Sequence, residues 1–102
     1  MDHQIQETEL VPRKQAKVRF RERILQGWDY CCAYCGDPLG KNATLDHVHP
    51  KCKGGETTLS NMVGCCFSCN SHKSGNDWIQ WFRDRDYWSP DREDRILKWL
   101  AR

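Results

Sequence analysis

The chain has 102 residues, 38% of them hydrophobic, with seven cysteines and a formal net charge of +2. That length suits one small domain, and a mean hydropathy of −0.85 leaves its core short of apolar area, so an external staple is expected. No run approaches the roughly 18 apolar residues of a membrane span, and the first residues lack the basic and apolar regions of a secretory signal, so reduced thiols in a cytoplasm are expected.

Residues 1–11 carry Asp2, Glu7 and Glu9 without hydrophobic periodicity and read as a flexible terminus. Residues 12–102 read as a single domain, with a core over 28–75 and helices over 76–102. The basic side chains Arg13, Lys14, Lys17, Arg19, Arg21 and Arg23 then face only Glu22. Ala16, Phe20, Ile24 and Leu25 recur at helical spacing among them, predicting a helix over 14–26 capped by Gly27. A basic face of this kind suits a phosphate backbone, and it is equally the composition of a solvated helix.

Residues 28–36 read as a short strand entering a knuckle, 43–48 as a strand, and 50–58, with Gly54-Gly55, as a loop. Asn61-Met62-Val63 leads back as the second arm of a hairpin. Residues 66–74 read as a short helix stopped by Gly75, followed by a helix capped at Asn76. Ser89-Pro90 opens the last helix, with Asp91 and Glu93 in its first turn. Trp78, Trp81, Phe82, Tyr87, Trp88 and Trp99 offer faces on which bases of a single strand can stack. Their helical spacing among Ile79, Leu97 and Leu100 favours core instead.

Two Cys-x-x-Cys turns, Cys32/Cys35 and Cys66/Cys69, present four thiolates, the donor set of a structural Zn2+. Cys31 and Cys65 precede the knuckles and read as small apolar side chains. Cys52 has no partner at ligand spacing.

Between the knuckles lies Leu45-Asp46-His47-Val48-His49-Pro50, then Gly54-Gly55, then Asn61-Met62-Val63; the second knuckle continues as Cys66-Phe67-Ser68-Cys69-Asn70, with Lys73 following. In order and spacing these residues resemble the HNH endonucleases. The resemblance implies an α+β fold: a small ββα-metal finger (the His-Me finger) with a four-cysteine zinc, flanked by N- and C-terminal helices. It implies His47 as general base, a role suited to an imidazole that titrates near pH ~6.5. It implies Asp46 and Asn70 as ligands of a catalytic divalent ion, and Asn61 as the brace of the loop. Where the family pattern has His or Asn, this chain has Asn70, and two oxygen ligands suit Mg2+ or Mn2+. His49, two residues beyond His47 on a strand, is a further candidate at the scissile phosphate. His72 is two past Asn70, a rotation of roughly 200° on a helix, and is expected to face away from the metal.

The expected activity is a metal-dependent DNA endonuclease or nickase leaving 5′-phosphate and 3′-hydroxyl ends. The expected partner is double-stranded DNA, bound by the basic helix, Lys51, Lys53 and Lys73; the chain is expected to be a monomer or weak homodimer in a bacterial or phage-infected cell. The alternative is a zinc-stabilised nucleic-acid-binding module without catalysis, from which only Asp46, His47 and Asn70 separate it. A thiol redox protein using Cys32 and Cys35 leaves the second knuckle unexplained.

Overall fold

A computed structural model describes residues 13–102; the expected flexible terminus, residues 1–11, lies outside the described residues. Helix α1 is Arg13–Gly27, and strands β1 (Thr44–His47) and β2 (Met62–Cys65) pair antiparallel. Helices α2 (Phe67–Lys73), α3 (Trp78–Arg83) and α4 (Pro90–Leu100) follow. The fold is α+β, with one two-stranded sheet among the described residues.

Helix α1 buries Ile24 and Leu25 and continues through Gly27. It stops because Asp29 and Tyr30 both adopt left-handed backbone, each with φ of 55°. That reversal leaves 28–36 as turns with a single bridge, Cys31 to Pro38, rather than the expected strand. The knuckle then closes on β2, where Ala33 N donates to Gly64 O at 2.9 Å.

The hairpin register pairs Thr44 with Cys65 and Asp46 with Val63. Thr44 and Asp46 share a strand face by alternation, whereas Asn70 and Lys73 share a helix face at i, i+3. The two faces meet in two rungs, Asn70 on Thr44 at 2.9 Å and Lys73 on Asp46 at 3.2 Å. Between the strands the chain makes two short 3-10 turns, Lys51–Lys53 and Leu59–Asn61. Gly54 closes the first in left-handed conformation, at φ of 91°. At Gly55 a Cβ would stand 1.7 Å from the His49 carbonyl oxygen, so only glycine lets the loop fold onto the end of β1.

Helix α2 is capped by Cys66, whose sulfur accepts from Cys69 N, and stops at Ser74 (φ 50°), one residue before the expected glycine. Asp77, rather than Asn76, caps α3 by accepting from Trp78 N at 2.9 Å. Ser89 caps α4, with Pro90 in its first turn, as the sequence predicts.

Trp78, Trp81 and Phe82 are buried with Ile24, Trp28, Tyr34, Val48, Val63 and Ile96. They are core, and each contributes about 2–3 kcal/mol by leaving water. Trp88, by contrast, is exposed. Arg92 ties α4 to the first knuckle by donating to Tyr34 O at 2.7 Å.

Candidate active site

Four sulfurs converge where the two knuckles meet. The Sγ atoms of Cys32, Cys35, Cys66 and Cys69 lie within 4.8 Å of one another, a group able to hold a metal ion. Tetrahedral zinc–sulfur bonds place sulfurs about 3.8 Å apart, and Cys35 Sγ stands 3.9 Å from Cys66 Sγ. Burial above all, with the neighbouring charge of Cys32, pushes the Cys35 thiol up to about 12. Four thiolates therefore share this space only around a cation. Cys65 is buried beside the cluster and Cys52 is exposed, both outside the group of four.

Tyr87, from the segment between α3 and α4, sits with its hydroxyl 3.1 Å from Cys69 Sγ. Burial and this contact raise the phenol well above its usual range, so it keeps its proton and can donate to the sulfur. Nothing in the knuckle spacing pointed to a tyrosine so far downstream.

About β1 the structure gathers Asp46, His47, Asn61, Asn70 and Lys73. Asp46 is 5% exposed. Tyr34, inside the first knuckle, donates to its Oδ2 at 2.7 Å, and Lys73 Nζ reaches the same oxygen at 3.2 Å. Burial raises the Asp46 carboxyl, while Lys73 and Tyr34 pull it back toward ionisation. The Tyr34 phenol, fully buried beside that carboxyl, is raised far enough to remain a donor.

Lys73 departs from expectation. It is 0% exposed, and its ammonium also donates to His47 O at 2.9 Å. The helix spacing that places it on the side of Asn70 places it on the buried side, where it neutralises Asp46 instead of reaching a surface phosphate.

His47 is half-buried at the end of β1, with Nε2 2.8 Å from Thr57 Oγ1. Burial lowers its pKa, with Lys51 and Lys73 adding to the effect and Asp46 opposing it. The neutral ring, able to accept a proton, therefore dominates at pH 7. Thr57 carried no motif and was legible only from the fold.

Asn61 is buried and braces the loop by three bonds. Its Oδ1 accepts from His49 N at 2.9 Å, and its Nδ2 donates to His49 O at 3.1 Å and Glu56 O at 2.8 Å. His49 is exposed and turns to Asp77, with Nδ1 2.9 Å from Oδ1. Because β1 ends at His47, strand alternation does not extend to His49. It lines a cavity of about 460 Å³ with Lys53, Glu56, Asn61 and Asp77, and His47 is not part of that lining. His72 is exposed and accepts from Trp81 Nε1 of α3 at 2.9 Å.

Asp46 and Asn70 offer hard oxygen donors on facing elements, which fits Mg2+ or Mn2+. One feature opposes tight binding: Lys73 already balances the carboxylate. Of the basic residues, Arg13, Lys14, Lys17, Arg19, Arg23, Lys51 and Lys53 are exposed. Arg21 is half-buried and donates to Ala43 O at 2.6 Å, fastening α1 to the approach of β1. No described helix is long and apolar enough to cross a membrane.

The HNH endonuclease family matches residues 32–76. The CRISPR-associated endonuclease Cas9 of Corynebacterium diphtheriae is 33% identical over 67 residues, covering 64% of this chain and 6% of that protein. The type II-C Cas9 of Actinomyces naeslundii shares the fold with a TM-score of 0.62 at 21% identity, over 96% of this chain and 13% of its own. The chain thus spans a small fraction of either relative. The matched segment 32–76, which holds both knuckles, the hairpin and the short helix, is similar to the HNH endonuclease family.

Proposed function

We propose that the chain is a metal-dependent endonuclease or nickase hydrolysing phosphodiester bonds of double-stranded DNA. The observation that carries this reading is the placement of His47: it follows Asp46 at the end of β1, with Nε2 2.8 Å from Thr57 Oγ1, and burial lowers its pKa. When the threonine hydroxyl accepts from Nε2–H, Nδ1 holds the free lone pair. That nitrogen takes a proton from the attacking water. A divalent ion held by Asp46 and Asn70 would supply Lewis-acid polarisation of the phosphate and neutralise charge on the leaving 3′ oxygen. Lys73 and Tyr34 hold the Asp46 carboxylate in place, and Lys73 fixes the His47 carbonyl, setting the strand from which the base projects.

The four-cysteine cluster is assigned to a structural Zn2+ that closes the fold. The exposed cations of α1, with Lys51 and Lys53, are assigned to the phosphate backbone, and few side chains remain for reading bases, so relaxed sequence specificity is expected. The working unit is taken as residues 12–102, a monomer or weak homodimer in a cytoplasm. The Corynebacterium diphtheriae relative is an endonuclease, which supports a nucleic-acid substrate here.

The second reading, a non-catalytic binding module, is favoured by one observation: the Lys73–Asp46 pair satisfies the buried carboxylate without any ion. Incubating supercoiled plasmid with the protein in Mg2+, Mn2+ or EDTA separates the two. The nuclease reading expects nicks with 5′-phosphate and 3′-hydroxyl ends in either metal and none in EDTA. Binding without nicking in both metals would select the module.

A further inference from the structure

Asn70 is joined to β1 by bonds whose direction follows from chemistry alone. Its Nδ2 lies 2.9 Å from Thr44 Oγ1 and 3.2 Å from Leu45 O. Thr44 Oγ1 lies 2.7 Å from Cys65 O, its cross-strand neighbour in the register. A carbonyl oxygen only accepts, so the Thr44 hydroxyl spends its single proton on Cys65 O. Its oxygen then has only lone pairs for Asn70, and Leu45 O likewise demands a donor. Both hydrogens of the Asn70 amide are committed to the strand, and Oδ1 is the one amide atom left over.

We infer that Thr44 is the positioning residue of the catalytic ion: its hydroxyl, anchored on the carbonyl before the second zinc knuckle, sets the rotation of Asn70 that presents Oδ1 as a ligand. This rests on the reading of Asn70 as a metal ligand given above. The relay Cys65 O, Thr44 hydroxyl, Asn70 amide runs from the residue preceding Cys66 to the proposed second site. It thereby connects the thiolate scaffold to the oxygen site without a shared ligand. The same geometry accounts for a neutral amide at position 70. An aspartate would add the charge that a cation favours, yet it would set a carboxylate against Leu45 O and the lone pairs of Thr44, with no donor for either.

Mn2+ binding to the intact, zinc-loaded chain, followed by the electron paramagnetic resonance of free Mn2+, tests the inference apart from activity. Thr44→Val, which keeps shape and removes the hydroxyl, is expected to weaken Mn2+ binding about ten- to a hundred-fold, the usual effect of losing a group that orients a ligand. Thr44→Ser is expected to restore it, with zinc content unchanged in both. Asn70→Asp is expected to bind more weakly than wild type despite its added charge. Wild-type affinity in Thr44→Val, or tighter binding in Asn70→Asp, overturns the inference. Unchanged affinity in Asn70→Ala instead removes Asn70 as a ligand and the parent reading with it. A measurement on the wild type needs no variant to fold. Magnetic resonance is expected to find both Asn70 amide protons protected from solvent exchange while Mg2+ shifts the side-chain carbonyl carbon. Exchange at the rate of a free amide contradicts the inference.

Discussion

The ammonium of Lys73, fully buried in α2, stands 3.2 Å from Oδ2 of Asp46 in β1. This pair joins the helix to the hairpin and fills, with one positive charge, the surroundings of a carboxylate that the family pattern assigns to a metal. Removing the lysine strands a buried charge, which costs about 3–5 kcal/mol where no relaxation occurs. Lys73→Met is therefore expected to lower the melting temperature strongly. A divalent cation replaces the missing charge, so added Mn2+ is expected to raise the melting temperature of this variant more than that of wild type. Calorimetric scans with and without Mn2+ check both effects.

The pH dependence follows from His47. Its folded pKa lies below the ordinary value of ~6.5, because burial disfavours the imidazolium. As pH falls through ~6.5 the unfolded chain takes up a proton that the folded chain refuses. The stability contributed by this group is thus present above ~6.5 and lost as pH drops toward the folded value. For activity the same sign predicts an acid limb of kcat/KM with its midpoint below ~6.5. A nicking profile over a range of about pH 4.5–8.5 reads it.

The thiolate cluster predicts one tightly held zinc per chain, measured by elemental analysis. Cys32→Ser, which removes a cluster ligand, is expected to lose the metal and the cooperative melt, since in small domains metal binding is folding energy. Cys52→Ser, at an exposed thiol outside the cluster, is expected to keep both.

Salt dependence separates the basic residues. Arg19 and Arg23 are exposed on α1, whereas Arg21 is spent on Ala43 O. Replacing Arg19 or Arg23 by Gln is expected to reduce the slope of log K against log salt by about 1 each. Arg21→Gln is expected to leave the slope unchanged and to lower stability. Filter-binding titrations on duplex DNA over a range of salt distinguish them.

The thiolate donors were legible in the sequence because ligation demands fixed spacing: Cys-x-x-Cys is a local constraint, and the chain writes it twice. The capped start of α4 was legible for the same reason, since Ser89 and Pro90 act on their own neighbours. Lys73 was misread because spacing says which side of α2 it shares with Asn70 but not whether that side faces solvent. The strand expected over 28–36 failed where Asp29 and Tyr30 turn left-handed, a conformation uncommon outside glycine that no sequence pattern here announces. Thr44, Thr57 and Tyr87 are chosen by distance across the fold, and their residue types are too common in proteins to announce a role.

The role of His47 in taking the proton from the attacking water is the centre of the proposed chemistry. Supercoiled-plasmid nicking in saturating Mg2+ tests it directly, comparing wild type with His47→Ala at equal zinc content and melting behaviour. A general base contributes about 100- to 10,000-fold to rate, so the variant is expected to react at least ~100-fold more slowly with duplex binding retained. Nicking by His47→Ala at the wild-type rate would contradict that role.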